Sequence, residues 1–275
     1  MLSKLEYGSA LWIFTIKPDM VGDYEQIKWG YITLWRKVNA FYNHCIRSIY
    51  GLKSKTYSRS TLVISGMMPL DFYLAYRAAA WYYRITHCED RSIVRSQHDQ
   101  MITDARAWHS TRFYKPVRLF IESLQKDSEH LLGLPTLSLF KTTLHDRIYD
   151  HLTTVWSNDV QGAFTHQIIP TWSPRRNHPP MRDRTTLVRY FKILAGNYTT
   201  NSFLHKISKR ADATCDFCDY NKDTISHRLM ACPKYIVQRQ KLFQAAMNLG
   251  INPTLKNLLT NDQCAPFTQE FISFL

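Results

Sequence analysis

The chain has 275 residues, 45% of them apolar and 13% aromatic, and carries a formal net charge of +13. That apolar share can bury a sizeable core and excludes wholesale disorder, and the length allows two domains or one large one. The charge points to polyanions, and it is unevenly spread: residues 171–241 hold fourteen Lys or Arg against five Asp or Glu, residues 1–170 twenty against fifteen, and residues 242–275 one against two.

In chain order, Ser9 to Ile16 reads as either a short strand or a buried helix turn. From Glu25 to Ile49, Ile27, Tyr31, Leu34, Val38, Phe41, Cys45 and Ile49 recur every three or four residues, which predicts one apolar face of a long helix capped by Gly51. Thr56 to Met67 forms a second block, with Ser58 or Ser60 as its cap. Pro69 opens a helix to Ile85 with Leu70, Leu74, Ala78, Trp81 and Ile85 inward. Glu89 to Arg106 reads as an exposed helix, and Pro116 starts another short one. Leu137, Phe140, Leu144, Ile148, Leu152 and Val155 mark an amphipathic helix of roughly 20 residues. Pro170, Pro174, Pro179 and Pro180, mixed with arginines, read as a basic extended linker over residues 170–184. Thr185–Leu194 and Thr200–Ser208 then predict two short helices separated by Gly196. With nine Gly and eleven Pro in all, the expected fold is mainly α: a helical region over residues 1–169, the linker, a small module over 185–241 and a helical tail over 242–275.

The module carries the chemistry. It contains Cys215-x2-Cys218-x8-His227-x4-Cys232. Two cysteines two residues apart turn both sulfurs toward one ion, and a distant pair completes a tetrahedron; four protein ligands leave no open position, so the expected cofactor is structural zinc. Thr224 is placed to cap a short helix carrying His227, and Pro233 stops the chain after Cys232. Reduced buried cysteines and a redox C-x2-C are the competing readings. Cys45, Cys88 and Cys264 lie alone, and Cys45 falls on an apolar helix face. This spacing is not that of a disulfide framework, which points to a reducing compartment, nuclear or cytoplasmic. Around the ligands lie Lys206, Lys209, Arg210, Lys222, Arg228, Lys234, Arg239 and Lys241, with Phe217, Tyr220 and Tyr235 between them. Cations beside rings suit single-stranded nucleic acid, although Phe217 and Tyr235 taken singly read better as the mini-core of the module.

No apolar run approaches the ~18–20 residues that span a bilayer, and Met1 to Gly8 lacks a signal-peptide pattern. GxxxxGK[ST], GxGxxG, HExxH and GxSxG are absent, and no Asp-Asp pair occurs. No small-molecule substrate is expected.

The stretch from Ile193 to Tyr235, with Gly196, Phe203-Leu204-His205, Cys215, Cys218, His227 and Cys232-Pro233, resembles the C-terminal region of non-LTR (LINE-type) retrotransposon reverse transcriptases. Leu5 to Phe14 (LEYGSALWIF) is similar to the segment that follows the palm in those enzymes, and Ser60 to Ala75 to the segment downstream of it. The resemblance implies a thumb-like helical region and connector followed by a CCHC zinc module. It implies that the chain begins after the fingers and palm whose paired carboxylates bind the catalytic metals, so that the parent family is an RNA-directed DNA polymerase but this chain is inactive alone. It further implies RNA or target DNA as partner, held for target-primed reverse transcription, and association with other retrotransposon proteins. The candidate phosphate contacts are Arg175, Arg176, Arg182, Arg184, Lys206, Lys209 and Arg210. The rival expectation is a protein–protein adaptor in which zinc only staples the fold.

Overall fold

Sparse glycine and proline translate into helices. The computed structural model describes residues 29–88, 92–93, 95–96, 99–100, 115–124, 128–174 and 183–275, and among these the chain is mainly helical, with no strand. The helices run α1 (Trp29–Ile49), α2 (Ser58–Ser65), α3 (Leu70–Thr86), α4 (Lys115–Leu124), α5 (Ser128–Leu132), α6 (Leu137–Ser157), α7 (Ala163–Ile168), α8 (Arg184–Leu194), α9 (Asn201–Lys206), α10 (Ile225–Met230), α11 (Ile236–Asn248), α12 (Leu255–Thr260) and α13 (Ala265–Ser273). Ser9 to Ile16 and most of Glu89 to Arg106 lie outside the described residues.

Contacts divide the chain into two units, one from Met1–Tyr42 and Met68–Thr154, the other from Asn43–Met67 and Val155–Leu275. In the first unit, Leu70, Leu74, Ala75, Ala78 and Ala79 of α3 are fully buried, together with Val117 and Ile121 of α4 and Phe140, Leu144 and Ile148 of α6. The alanines let neighbouring helices approach closely, and aromatic contacts fill the rest: Phe72 meets Phe120 edge-on at 6.2 Å, and Tyr83 stacks on Phe140 at 4.5 Å. The Tyr83 hydroxyl donates to the Leu134 carbonyl.

Three sequence expectations shift here. Trp81 is 42% exposed rather than inward, whereas Ala78, Tyr82 and Ile85 are buried. On α1, Phe41 and Ile49 are exposed and Cys45 is half-buried, whereas Tyr42, Asn43 and Ile46 are buried. The face is rotated by one residue, and Tyr42 takes the inner position because its hydroxyl donates to Met68 O at 3.0 Å. Neither Ser58 nor Ser60 caps α2: the residue before it is Tyr57, which makes no capping bond, and Ser58 Oγ instead accepts from Arg47 Nη2 at 2.7 Å. Gly51 does end α1 in a left-handed conformation, φ +64°, with Leu52 N–H on Arg47 O.

In the second unit, Trp156 at the end of α6 is fully buried and donates from Nε1 to Ile169 O at 2.8 Å. Thr165 Oγ1 donates to Leu194 O at 3.0 Å, Asn197 Nδ2 to Thr56 Oγ1 at 2.6 Å and the Tyr190 hydroxyl to Leu259 O at 2.7 Å, so α7, α8, α12 and the segment before α2 share buried polar ties. The start of the expected extended linker is packed: Trp172 is buried and its Nε1 donates to Met67 O at 3.2 Å. An indole buries more apolar area than an extended segment can leave in water, which outweighs the turn signals around it.

Gly162 has an ordinary backbone, φ −93°, but a Cβ there would lie 2.3 and 2.6 Å from atoms of the Trp156 ring. The ring is enclosed and tethered, so Gly162→Ala is expected to destabilise the protein by about 1–3 kcal/mol through overpacking. Urea unfolding followed by tryptophan fluorescence measures this; an unchanged midpoint would mean the ring moves aside freely.

Candidate metal centre

The cysteine loop lies between α9 and α10. Asp223 N–H donates to Ala213 O at 2.7 Å and Cys215 N–H to Tyr220 O at 3.0 Å, which doubles the chain back and leaves Cys215 and Cys218 at its bend. The turn-prone residues beside them, Asp216, Asp219 and Asn221, make that reversal cheap. Thr224 caps α10 as expected, its side chain accepting from His227 N–H at 3.1 Å, which sets His227 on the first turn. The helix ends with Cys232 N–H on His227 O at 2.8 Å, and Pro233 opens a 3-10 turn over Pro233–Tyr235.

These local choices bring all four side chains together. The Sγ atoms of Cys215, Cys218 and Cys232 and a ring nitrogen of His227 lie within 4.8 Å of one another. Cys215 Sγ and Cys232 Sγ are 3.8 Å apart, and Cys218 Sγ is 3.3 Å from His227 Nε2. All three cysteines are free thiols, and the sulfur separation is far beyond a disulfide bond. It is the edge of a tetrahedron whose centre lies about 2.3 Å from each sulfur, the bond length of a metal thiolate. The group can therefore hold a metal ion. Cys215, His227 and Cys232 are buried and Cys218 is half-buried, so an ion here would be largely shielded from water.

The electrostatics suit a site that needs an ion. Burial pushes the Cys232 thiol up to about 11, so without a positive charge beside it the sulfur keeps its proton at neutral pH. Burial also holds the His227 imidazole below its usual value, against the opposing pull of Asp223, and this favours the neutral form that ligates. The Tyr220 ring stacks on the imidazole, centroids 4.5 Å apart and planes 8° from parallel. His227 Nδ1 is buried without a hydrogen-bond partner among the described residues.

One residue that the sequence reading passed over organises the module. Asp223 is buried; its carboxylate accepts from Asn201 N–H at 2.8 Å, from Arg228 Nε at 2.8 Å and from Arg228 Nη2 at 2.6 Å, while its carbonyl accepts from Ser202 N–H. It joins the start of α9 to the cysteine loop and to α10. An acidic residue directly before a capping threonine is the only trace of this in the sequence.

The basic residues separate into two kinds. Arg228 is bound to Asp223, and Arg239 donates to Cys232 O at 2.8 Å, so both serve the fold. Arg210 pairs with Asp216 and Asp212. Arg184 donates to the carbonyls of Ser48 and Ile49 at the end of α1, a favourable place for a cation. Lys206, Lys209, Lys222, Lys234 and Lys241 are exposed. Arg175, Arg176 and Arg182 lie outside the described residues. Of the rings, Tyr235 is buried as a mini-core residue should be, but Phe217 is 47% exposed, with Lys234 Nζ 3.4 Å from its centroid. The Lys234 ammonium covers the face of its ring instead.

No helix among the described residues is long and apolar enough to cross a membrane. In comparisons with protein-family models, curated proteins and solved structures, nothing matched the chain.

Proposed function

We propose that this chain is the nucleic-acid-holding C-terminal part of a LINE-type reverse transcriptase, with a structural zinc ion held by Cys215, Cys218, His227 and Cys232. Three thiolates and an imidazole form a donor set suited to zinc, and a closed tetrahedron leaves no position for substrate, so the ion's task is folding. The observation that carries the binding role is the set of exposed lysines, Lys206, Lys209, Lys222, Lys234 and Lys241, along this module. Lysine ammoniums neutralise phosphates and release counterions, which supplies affinity without sequence choice. The order of the segments that resemble the reverse transcriptases supports the family reading.

The test is single-stranded RNA binding against salt concentration. Replacing Lys206, Lys209 and Lys222 by Gln should weaken binding and flatten the log–log salt slope by about 2–3. An unchanged slope with unchanged affinity would remove these lysines from the interface.

A second reading, a zinc-stapled protein–protein adaptor, is favoured by one feature: Val237, Met247, Leu249, Phe267 and Phe274 on and beside α11 and α13 are exposed apolar side chains. Its mark would be partner binding that survives high salt together with no affinity for RNA.

A further inference from the structure

A cleft of about 230 Å³ opens beside the metal module, within the second unit, walled by Phe164, Tyr198 and Phe203 and bordered by Ser202, Ser226 and Lys206. It falls below the roughly 300–1,000 Å³ of sites for drug-sized ligands, so it suits one flat ring system rather than a larger molecule. Phe164 and Phe203 are half-buried, presenting ring surface to the cleft while anchored behind. Gly196 makes the first wall possible: its φ is +66°, and a Cβ there would come within 3.1–3.3 Å of the Phe164 ring and its Cβ. Lys206 stands on the rim, and Lys53 Nζ lies 4.1 Å from the Phe203 centroid. Burial, and after it the neighbouring Lys192, hold the Lys53 ammonium below its usual value.

We infer that this cleft takes a single nucleotide, its unstacked base between Phe164 and Phe203 and its phosphate on Lys206. The inference rests on the nucleic-acid reading above and adds to it a base-binding subsite. Aromatic walls bind the π-face that every base presents, the Ser202 and Ser226 hydroxyls can bond to base edges, and the Lys206 ammonium meets the phosphate. A run of surface lysines holds a backbone of any conformation. This cleft holds only a nucleotide whose base has left the stack, so it would select single-stranded over duplex nucleic acid.

The experiment uses the full chain and a ten-nucleotide single-stranded RNA with 2-aminopurine at its centre. Anisotropy reads affinity and fluorescence quenching reads stacking. The wild type should bind and quench. Phe203→Ala should lose the quench and about 5- to 100-fold in affinity, the loss of one stacked base, while Phe203→Tyr should restore both. Circular dichroism and metal content verify that the variants are folded. Competition by AMP assigns the site to a free nucleotide, and its absence assigns it to a strand; either outcome supports the chemistry once Phe203→Ala abolishes it. A folded Phe203→Ala that binds and quenches like the wild type overturns the subsite and leaves the lysine-based reading standing. A wild type that does not bind the RNA at low salt overturns both.

Discussion

Purified protein is expected to contain one zinc ion per chain, and Cys215→Ser/Cys218→Ser to contain none and to lose its cooperative melting transition in the metal module. The four donor atoms have few other ways to be satisfied. Cys215 and Cys232 are buried 3.8 Å apart without a disulfide, and their sulfurs are poor hydrogen-bond partners for one another. In isolated zinc-finger peptides the ion contributes about 10–16 kcal/mol. Here the loss should be smaller, because Tyr235 packs on Phe271 of α13 and Tyr190 is tied to Leu259, contacts that do not depend on the ion. Zinc must displace the Cys232 proton, so its affinity should fall as pH falls, and chelators should strip it faster at pH 5 than at pH 8. The metal-free protein should behave differently. A thiol raised from 9.0 to about 11 by folding stabilises the folded state below pH 9, and that contribution is lost as pH rises through 11. Elemental analysis with thermal melts at several pH values measures all of this; a wild type free of metal, with the double variant melting at the same temperature, would sink the zinc assignment.

Helix existence was legible because it rests on periodicity, which a single sequence displays. Leu70, Leu74, Ala78 and Ile85 of α3 and Phe140, Leu144, Ile148 and Leu152 of α6 were readable as inward and are buried. Which of two adjacent residues faces inward was not, because that is settled by a distant partner: Tyr42 wins over Phe41 through the Met68 carbonyl. The Cys/His group that could hold a metal ion was readable, since its four residues lie within 18 residues and local turns bring them together. The charge map was only half readable. A count of Lys and Arg treats all alike, yet Arg228 and Arg239 are held inside the module by the Asp223 carboxylate and the Cys232 carbonyl, while the lysines face outward. That division follows guanidinium chemistry: a planar fork is suited to bidentate ties within a fold, and a compact, strongly hydrated ammonium stays in water.

Asp223→Ala is expected to cost about 3–5 kcal/mol, more than truncating any of the surface cations discussed. The side chains of Asp223 and Arg228 are 1% and 11% exposed, and removing the carboxylate strands a guanidinium that water reaches poorly. It also leaves Asn201 N–H at the start of α9 without its acceptor. Arg228→Met alone should cost a similar amount, because the buried carboxylate then loses its cation. The double substitution Asp223→Asn/Arg228→Met distinguishes the pair from its surroundings. The Asn oxygen can still accept from Asn201 N–H, and two neutral side chains need no compensating charge, so the double variant should be more stable than Asp223→Asn or Arg228→Met alone. Urea unfolding at saturating zinc and again in chelator separates loss of the pair from loss of the ion. If the double variant lost the sum of the effects of Asp223→Asn and Arg228→Met measured singly, Asp223 and Arg228 would be acting independently.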